Sequence, residues 1–286
     1  MSQDLLKKPL FILGNPRSGT SLFRIILNSH PNIVIPPESG FTQWWFKKYS
    51  NFNVQNLNNL DPFLDDLLSS KKIETYELKR SKLKEYIISQ KPQDYQELCA
   101  LVYLFYGSGK DVHIWGDKNN YYIHHIPLLL DLYPNSKQIH LMRDGRDVAC
   151  SYLEVSKNID PNSTYFPDFP STIEEIANAW CRNVAKIMEG LSGTNHLTIT
   201  YEELITNFKP TLLKVTEYLE CDWSDSLLTY YNRNDEPTVT AKWKQKTFKP
   251  IDSRGIGRYK KELTKEQISV FNEIAGSLLQ NLGYTI

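Results

Sequence analysis

Cysteine is scarce in this chain: Cys99, Cys150, Cys181 and Cys221 are its only four, and no two stand in a C-x-x-C spacing. Neither a zinc cluster nor a disulfide framework is signalled, so a reducing, cytoplasmic setting is expected. Net charge is absent as well, because 33 basic residues balance 33 acidic ones. That excludes a global basic field announcing nucleic acid and leaves anion binding to local clusters. No apolar run approaches the roughly 18 residues of a membrane span, and the opening MSQDLLKKPLFILG has no apolar stretch separate from its first strand. A soluble protein is expected, with 41% hydrophobic residues to build one core.

A lysine is also missing where one belongs. In Phe11 to Ser21, FILGNPRSGTS, Gly14 and Gly19 keep the spacing of a G-x-x-x-x-G-K-[ST] phosphate loop, but Thr20 occupies the lysine position. In a loop for triphosphates that lysine reaches the β- and γ-phosphates and the hydroxyl holds Mg²⁺. Arg17, inside the loop, offers instead a planar, permanently charged fork suited to an oxyanion on a 5′-phosphate. The order strand, glycine loop, helix N-terminus points backbone N–H groups and a helix dipole at an anion. An ordinary strand-to-helix turn is the plainer alternative.

Strands are predicted at 9–14, 32–36, 111–115, 137–142 and 195–200, alternating with helices at 20–29, 120–132, 145–154, 171–191, 208–219 and 264–281. Such alternation argues for an α/β fold, a three-layer P-loop-like parallel sheet flanked by helices, in a single domain spanning 1–286. A helical insertion at about 50–110 opens on a polar, asparagine-rich stretch, Ser50 to Asn59, and then reads as several amphipathic helices with lysine-rich outer faces over Leu60 to Tyr106; Lys157 to Pro170 reads as a loop. The stretch 232–260, with Lys242, Lys244, Lys246 and Lys249, is long for a structureless connection and is a candidate lid.

A second motif, KQIHLMRDGRDVACS at 137–151, ends an apolar strand in Arg143-Asp144-Gly145-Arg146 and starts a helix that carries Ser151. Arg143 then stands at the carboxyl end of a strand, where ligands of open parallel sheets bind. PRSGTS followed by RDGRDVACS resembles the 5′-phosphosulfate loop and 3′-phosphate motif of sulfotransferases that use 3′-phosphoadenylyl sulfate (PAPS). Further segments resemble the tyrosylprotein branch and its bacterial relatives: SHPNIVIPPES, WGDKNNYY, YPNSKQIHLMRDGR, ITYEELITN, WSDSLL and KPIDSRGIGRYKKEL.

The resemblance implies a sulfuryl transfer from PAPS to a hydroxyl or amine acceptor, with adenosine 3′,5′-bisphosphate (PAP) as product and no metal. It gives Arg17, Ser18, Gly19, Thr20 and Ser21 to the 5′-phosphate and sulfuryl group, and Arg143 and Ser151 to the 3′-phosphate. Tyr201 falls beside the nucleotide and Arg258 on a residue that closes over its phosphate. Glu38, after the strand and the turn Pro36-Pro37 and at the start of an expected helix, matches the catalytic base. A first-turn glutamate favoured by the helix dipole is the alternative. Lys118, expected just past a strand, matches a group that neutralises charge on the leaving oxygens; a surface lysine paired with Asp117 is the alternative. Arg146 reads either as part of the site or as a helix residue paired with Asp144 or Asp147.

Other branches use a histidine base, so His113, in an expected buried strand, and His124 and His125 also compete for the role. Val155 stands where the tyrosylprotein branch carries one more basic residue, with Lys157 as its substitute. Trp44, Trp45, Phe46, Tyr121, Tyr122, Tyr165 and Phe166 flank the site segments and can pack an acceptor ring or sugar face, or simply fill the core. The acceptor is expected to be a small molecule, carbohydrate or peptide, with homodimerisation left open. A P-loop nucleotide kinase or NTPase, and a non-catalytic 3′,5′-bisphosphate nucleotide-binding protein, are the competing functions.

Overall fold

A computed structural model of the chain describes residues 2–53, 60–158, 170–237 and 245–286. Its strands are β1 (Leu10–Leu13), β2 (Ile33–Val34), β3 (Ile114–Lys118), β4 (Lys137–Met142) and β5 (His196–Thr200). They form one parallel sheet in the order β2-β3-β1-β4-β5. The helices between them are α1 (Gln3–Lys7), α2 (Thr20–Asn28), α3 (Phe41–Trp44), α4 (Phe46–Tyr49), α5 (Leu60–Ser69), α6 (Arg80–Gln90) and α7 (Tyr95–Tyr106). After β3 come α8 (Ile126–Leu132), α9 (Gly145–Asn158), α10 (Ile173–Gly190), α11 (Tyr201–Thr206), α12 (Phe208–Leu219), α13 (Tyr259–Glu262) and α14 (Lys265–Asn281). This is the three-layer α/β architecture expected.

The central strand explains the layering. All four residues of β1 are buried. Leu10 and Ile12 join a cluster with Phe23, Ile26, Leu141 and Leu212 on one face, while Phe11 and Leu13 join another with Leu101, Trp115 and Tyr122. An unbroken apolar run is what a parallel strand covered on both sides requires, and each such side chain contributes about 1.5–3 kcal/mol by leaving water. A third cluster, around Val148, Trp180 and Phe271, packs α9, α10 and α14 together. Capping boxes at Thr172/Glu175 and Thr264/Gln267 fix where α10 and α14 begin.

Several boundaries differ from expectation. β3 lies three residues later than predicted, so Lys118 ends the strand rather than following it, and His113 is an exposed residue ahead of it, facing Asp111 at 3.2 Å. The helix expected over 120–132 is a 3₁₀ turn (Asn120–His124) followed by α8, broken at His125, with proline in the first turn of α8. α9 continues to Asn158, past the predicted loop start at 157, and residues 159–169 lie outside the described residues. Glu38 starts no helix: it sits in irregular chain between β2 and α3. Within the insertion α7 is not amphipathic, because Tyr95 and every residue from Glu97 to Leu104 are buried. The stretch at 232–260 contains 3₁₀ turns at Gln245–Phe248 and Ser253–Gly255, with 238–244 outside the described residues.

Candidate active site

Each strand delivers a candidate site residue to the same, carboxyl edge of the sheet. In sheet order these are Glu38 after β2, Lys118 at the end of β3, the loop Asn15–Gly19 after β1, Arg143 after β4 and Tyr201 after β5. Parallel pairing of all five strands forces that arrangement, and the strand order puts Glu38 and Lys118 on one side of the loop and Arg143 and Tyr201 on the other.

The loop is tightly wound. Arg17 (φ 73) and Gly19 (φ 93) adopt the left-handed conformation, and Ser18 N donates to Asn15 O at 3.1 Å. A Cβ on Gly19 would lie 2.6 Å from the Tyr201 ring, so glycine is required both for the turn and for the approach of α11. Gly19 is the N-cap of α2 and provides no side chain to cap it. Ser18 Oγ is buried without a hydrogen-bond partner among the described residues. Thr20 Oγ1 donates to Asn120 Oδ1 at 3.3 Å, and Ser21 Oγ accepts from Lys118 Nζ at 3.1 Å.

The two motifs read from the sequence are joined directly. Arg17 Nε donates to Ser151 Oγ at 3.0 Å, and Arg143 Nη1 donates to Arg17 O at 3.0 Å. Arg143 Nη2 donates to Gly255 O at 2.6 Å, and its guanidinium lies 4.2 Å from the Tyr201 ring centre. Burial pushes the pKa of Arg17 down; Tyr152 opposes the shift and the neighbouring Arg143 cation adds to it. Arg143 Nε, like Ser18 Oγ, is buried and has no hydrogen-bond partner among the described residues. Two crowded guanidinium groups, two unused buried polar atoms and an uncapped helix N-terminus together suit a phosphate oxyanion.

On the other side of the loop, Lys118 is 1% exposed and its ammonium bonds Glu38 Oε1. The alternative pairing of Lys118 with Asp117 does not occur. Asp117 Oδ2 accepts from the hydroxyls of Tyr103 and Tyr122, each at 2.5 Å, and burial raises its pKa to about 6. Lys72 Nζ donates to Glu38 Oε2 at 3.0 Å, and its pKa is raised chiefly by the Glu38 charge. Sequence reasoning missed Lys72, which sits in the insertion 34 residues from its partner; no local motif marks it.

Other candidates stand apart. Arg258 is held by Glu154 at 2.8 Å and Glu262 at 2.6 Å, beside α9. Arg146 follows the structural alternative: it forms a two-pronged pair with Asp144, bonds Thr285 O and lies 4.1 Å from the Tyr259 ring centre. Val155 is buried and Lys157 exposed on the same helix. His124 contacts Lys186, and His125 packs against Tyr121. Of the aromatics, Tyr122 is core, Trp45 and Phe46 are half-buried against it, and Trp44 and Tyr121 are exposed. Tyr165, Phe166, Lys242 and Lys244 lie outside the described residues, as does the side chain of Lys246; Lys249 is exposed. No helix among the described residues is long and apolar enough to cross a membrane, and none of their side chains cluster as a metal site.

A phosphate loop, a second basic edge and a buried lysine–glutamate pair on one parallel sheet define a nucleotide-dependent group-transfer fold. The family model for the sulfotransferase family matches residues 9–225, and the chain belongs to that family. It is 21% identical to protein-tyrosine sulfotransferase A of Caenorhabditis elegans over 96% of this chain and 67% of that protein. The chain spans between 29% and 67% of the length of the first curated relatives it matches. Among solved structures, the sulfotransferase domain from the curacin biosynthetic pathway superposes with a TM-score of 0.61 at 18% identity, covering 98% of this chain and 99% of that one. A mouse sulfotransferase complexed with PAP gives 0.51 at 17% identity, covering 98% and 90%.

Proposed function

We propose that this chain transfers a sulfuryl group from PAPS to a hydroxyl or amine acceptor, with Glu38 as general base. The observation that carries the reading is the bond between Arg17 and Ser151, 134 residues apart, beside the Lys118–Glu38 pair. PAPS when bound supplies an activated sulfuryl group and a bisphosphate leaving group. In this reading Ser18, the backbone of residues 18–21 and Arg17 hold the 5′-phosphate, while Arg143 and Ser151 hold the 3′-phosphate. Tyr201 packs beside the nucleotide, and Arg258 anchors the segment next to it. Lys118, placed between Glu38 and the loop, offsets negative charge that develops on the leaving side. Glu38 takes the acceptor proton.

The acceptor is a peptidyl tyrosine in this proposal, a reading supported by the likeness to a protein-tyrosine sulfotransferase, with small phenols and carbohydrates also included in the acceptor panel. A cytoplasmic location belongs to the same proposal, supported by four free cysteines. The test compares PAP, AMP and Mg-ATP by thermal shift. PAP at 100 times its Kd adds about 2.7 kcal/mol of stability, which AMP and Mg-ATP do not match. A larger shift with Mg-ATP would favour a kinase. With an acceptor in hand, Glu38→Gln lowers kcat about 10²-fold or more and keeps the PAP shift, whereas Arg17→Ala loses both. Full activity in either variant overturns its assigned role.

A further inference from the structure

Glu38 lies between two ammonium groups that come from unrelated parts of the chain. Lys118, on β3, bonds one carboxylate oxygen and Lys72, from the insertion, donates to the other at 3.0 Å. Lys118 shares its ammonium between Glu38 and Ser21 of the phosphate loop, so its charge is not given to Glu38 alone. Among the described residues Lys72 Nζ hydrogen-bonds Glu38 alone. Its backbone, left-handed at φ 69, is fixed by the buried side chains of Ile73 and Tyr76 in the turn it introduces. The Lys72 side chain stays 30% exposed, and that of Glu38 16%, so neither is sealed from solvent.

We propose that Lys72 is a positioning residue for Glu38: the insertion supplies the second ammonium that keeps this carboxylate ionised and its outer oxygen in a fixed direction. The inference rests on the reading of Glu38 as the base. Among the described residues, the other charged and titratable groups acting on the pair include Arg17 from the phosphate loop, Asp117 from β3, Tyr76 from the insertion, and Glu236 and Glu74, which act on Lys72. Asp117, a buried acid behind Lys118, favours the protonated form of Glu38. The two lysines oppose it.

The test is ¹³C NMR titration of the Glu38 carboxyl, assigned by its loss in Glu38→Gln. An opposite charge at this range lowers a carboxylate pKa by about 1–3 units. The wild-type signal is therefore expected to titrate below the usual glutamate value of about 4.3, to rise by about one unit or more in Lys72→Met, and to return in Lys72→Arg. Lys72→Asn, which tolerates the left-handed backbone, serves in place of methionine if that variant does not fold. Superimposable titrations of wild type and the neutral variant would overturn the proposal. Because this readout needs no turnover, the PAP thermal shift on the same samples reports separately on the function. Once an acceptor is known, the acidic limb of kcat against pH is expected to move with the NMR value while the KM for PAPS stays fixed.

Discussion

Gly19 shows how a single residue serves conformation and contact together. Its φ of 93 puts it where side chains are disfavoured, and an added Cβ would meet the Tyr201 ring at 2.6 Å. Gly193 has a comparable φ of 77, with nothing within 4 Å of an added Cβ. Alanine at Gly193 therefore bears only the backbone cost, on the order of 1–2 kcal/mol. Alanine at Gly19 bears that cost and also drives Tyr201 off the Arg143 guanidinium. Urea midpoints are expected to fall further for Gly19→Ala than for Gly193→Ala with unchanged m, and only the former should lose stabilisation by PAP. Equal losses in both variants would mean that the approach of Tyr201 is unimportant. At the same scale Arg17 was legible as a candidate because a guanidinium inside a glycine loop suits an oxyanion, and the structure sets it against Ser151 of the second motif.

At the scale of elements, the first turn of α9 organises the segment at 253–259. Asp147 accepts from Gly257 N at 2.7 Å and Tyr259 N at 3.0 Å, and Gly255 O accepts from Arg143. Removing a charged acceptor of this kind costs about 1.5–3 kcal/mol per hydrogen bond. Asp147→Ala is thus expected to weaken PAP at least tenfold by calorimetry, with the acceptor KM unchanged, and Asp147→Asn to lie between it and wild type. Unaltered PAP affinity in the alanine variant would detach this segment from the nucleotide site. Elements of this sheet were legible wherever an apolar run ended at a turn signal, as in β1 and β4. β3 slipped by three residues because its second half is Gly116-Asp117-Lys118, whose two charged side chains are buried by tertiary contacts. Gly116 is there because a Cβ would meet Leu10 O at 2.5 Å. Those reasons are tertiary and leave no trace in local periodicity. Lys72 was illegible on the same ground: only the path of the insertion carries it to Glu38.

For the whole molecule, formal charge is zero only near pH 7, and on acidification buried groups with shifted pKa values add their own contributions to the general repulsion that builds as carboxylates protonate. Two of these buried groups act in opposite directions. His140, buried in β4, has its pKa lowered by burial from 6.5 to about 4. The unfolded chain takes up that proton first, so the stability His140 leaves intact above pH 6.5 is lost as pH falls toward 4. Asp117 has its pKa raised by burial from 3.8 to about 6. There the folded state takes up the proton first, so stability grows as pH falls from above 6 toward 4. At about 1.36 kcal/mol per unit, each contribution is at most about 3 kcal/mol, and in the wild type they largely offset one another. Replacing either residue exposes the other. Measured against wild type by urea denaturation from pH 7 to pH 4, His140→Leu is expected to gain stability on acidification and Asp117→Asn to lose it. Curves that run parallel to wild type for both variants would show that neither side chain titrates differently in the folded and unfolded chain, and acid sensitivity would then have to come from the exposed carboxylates.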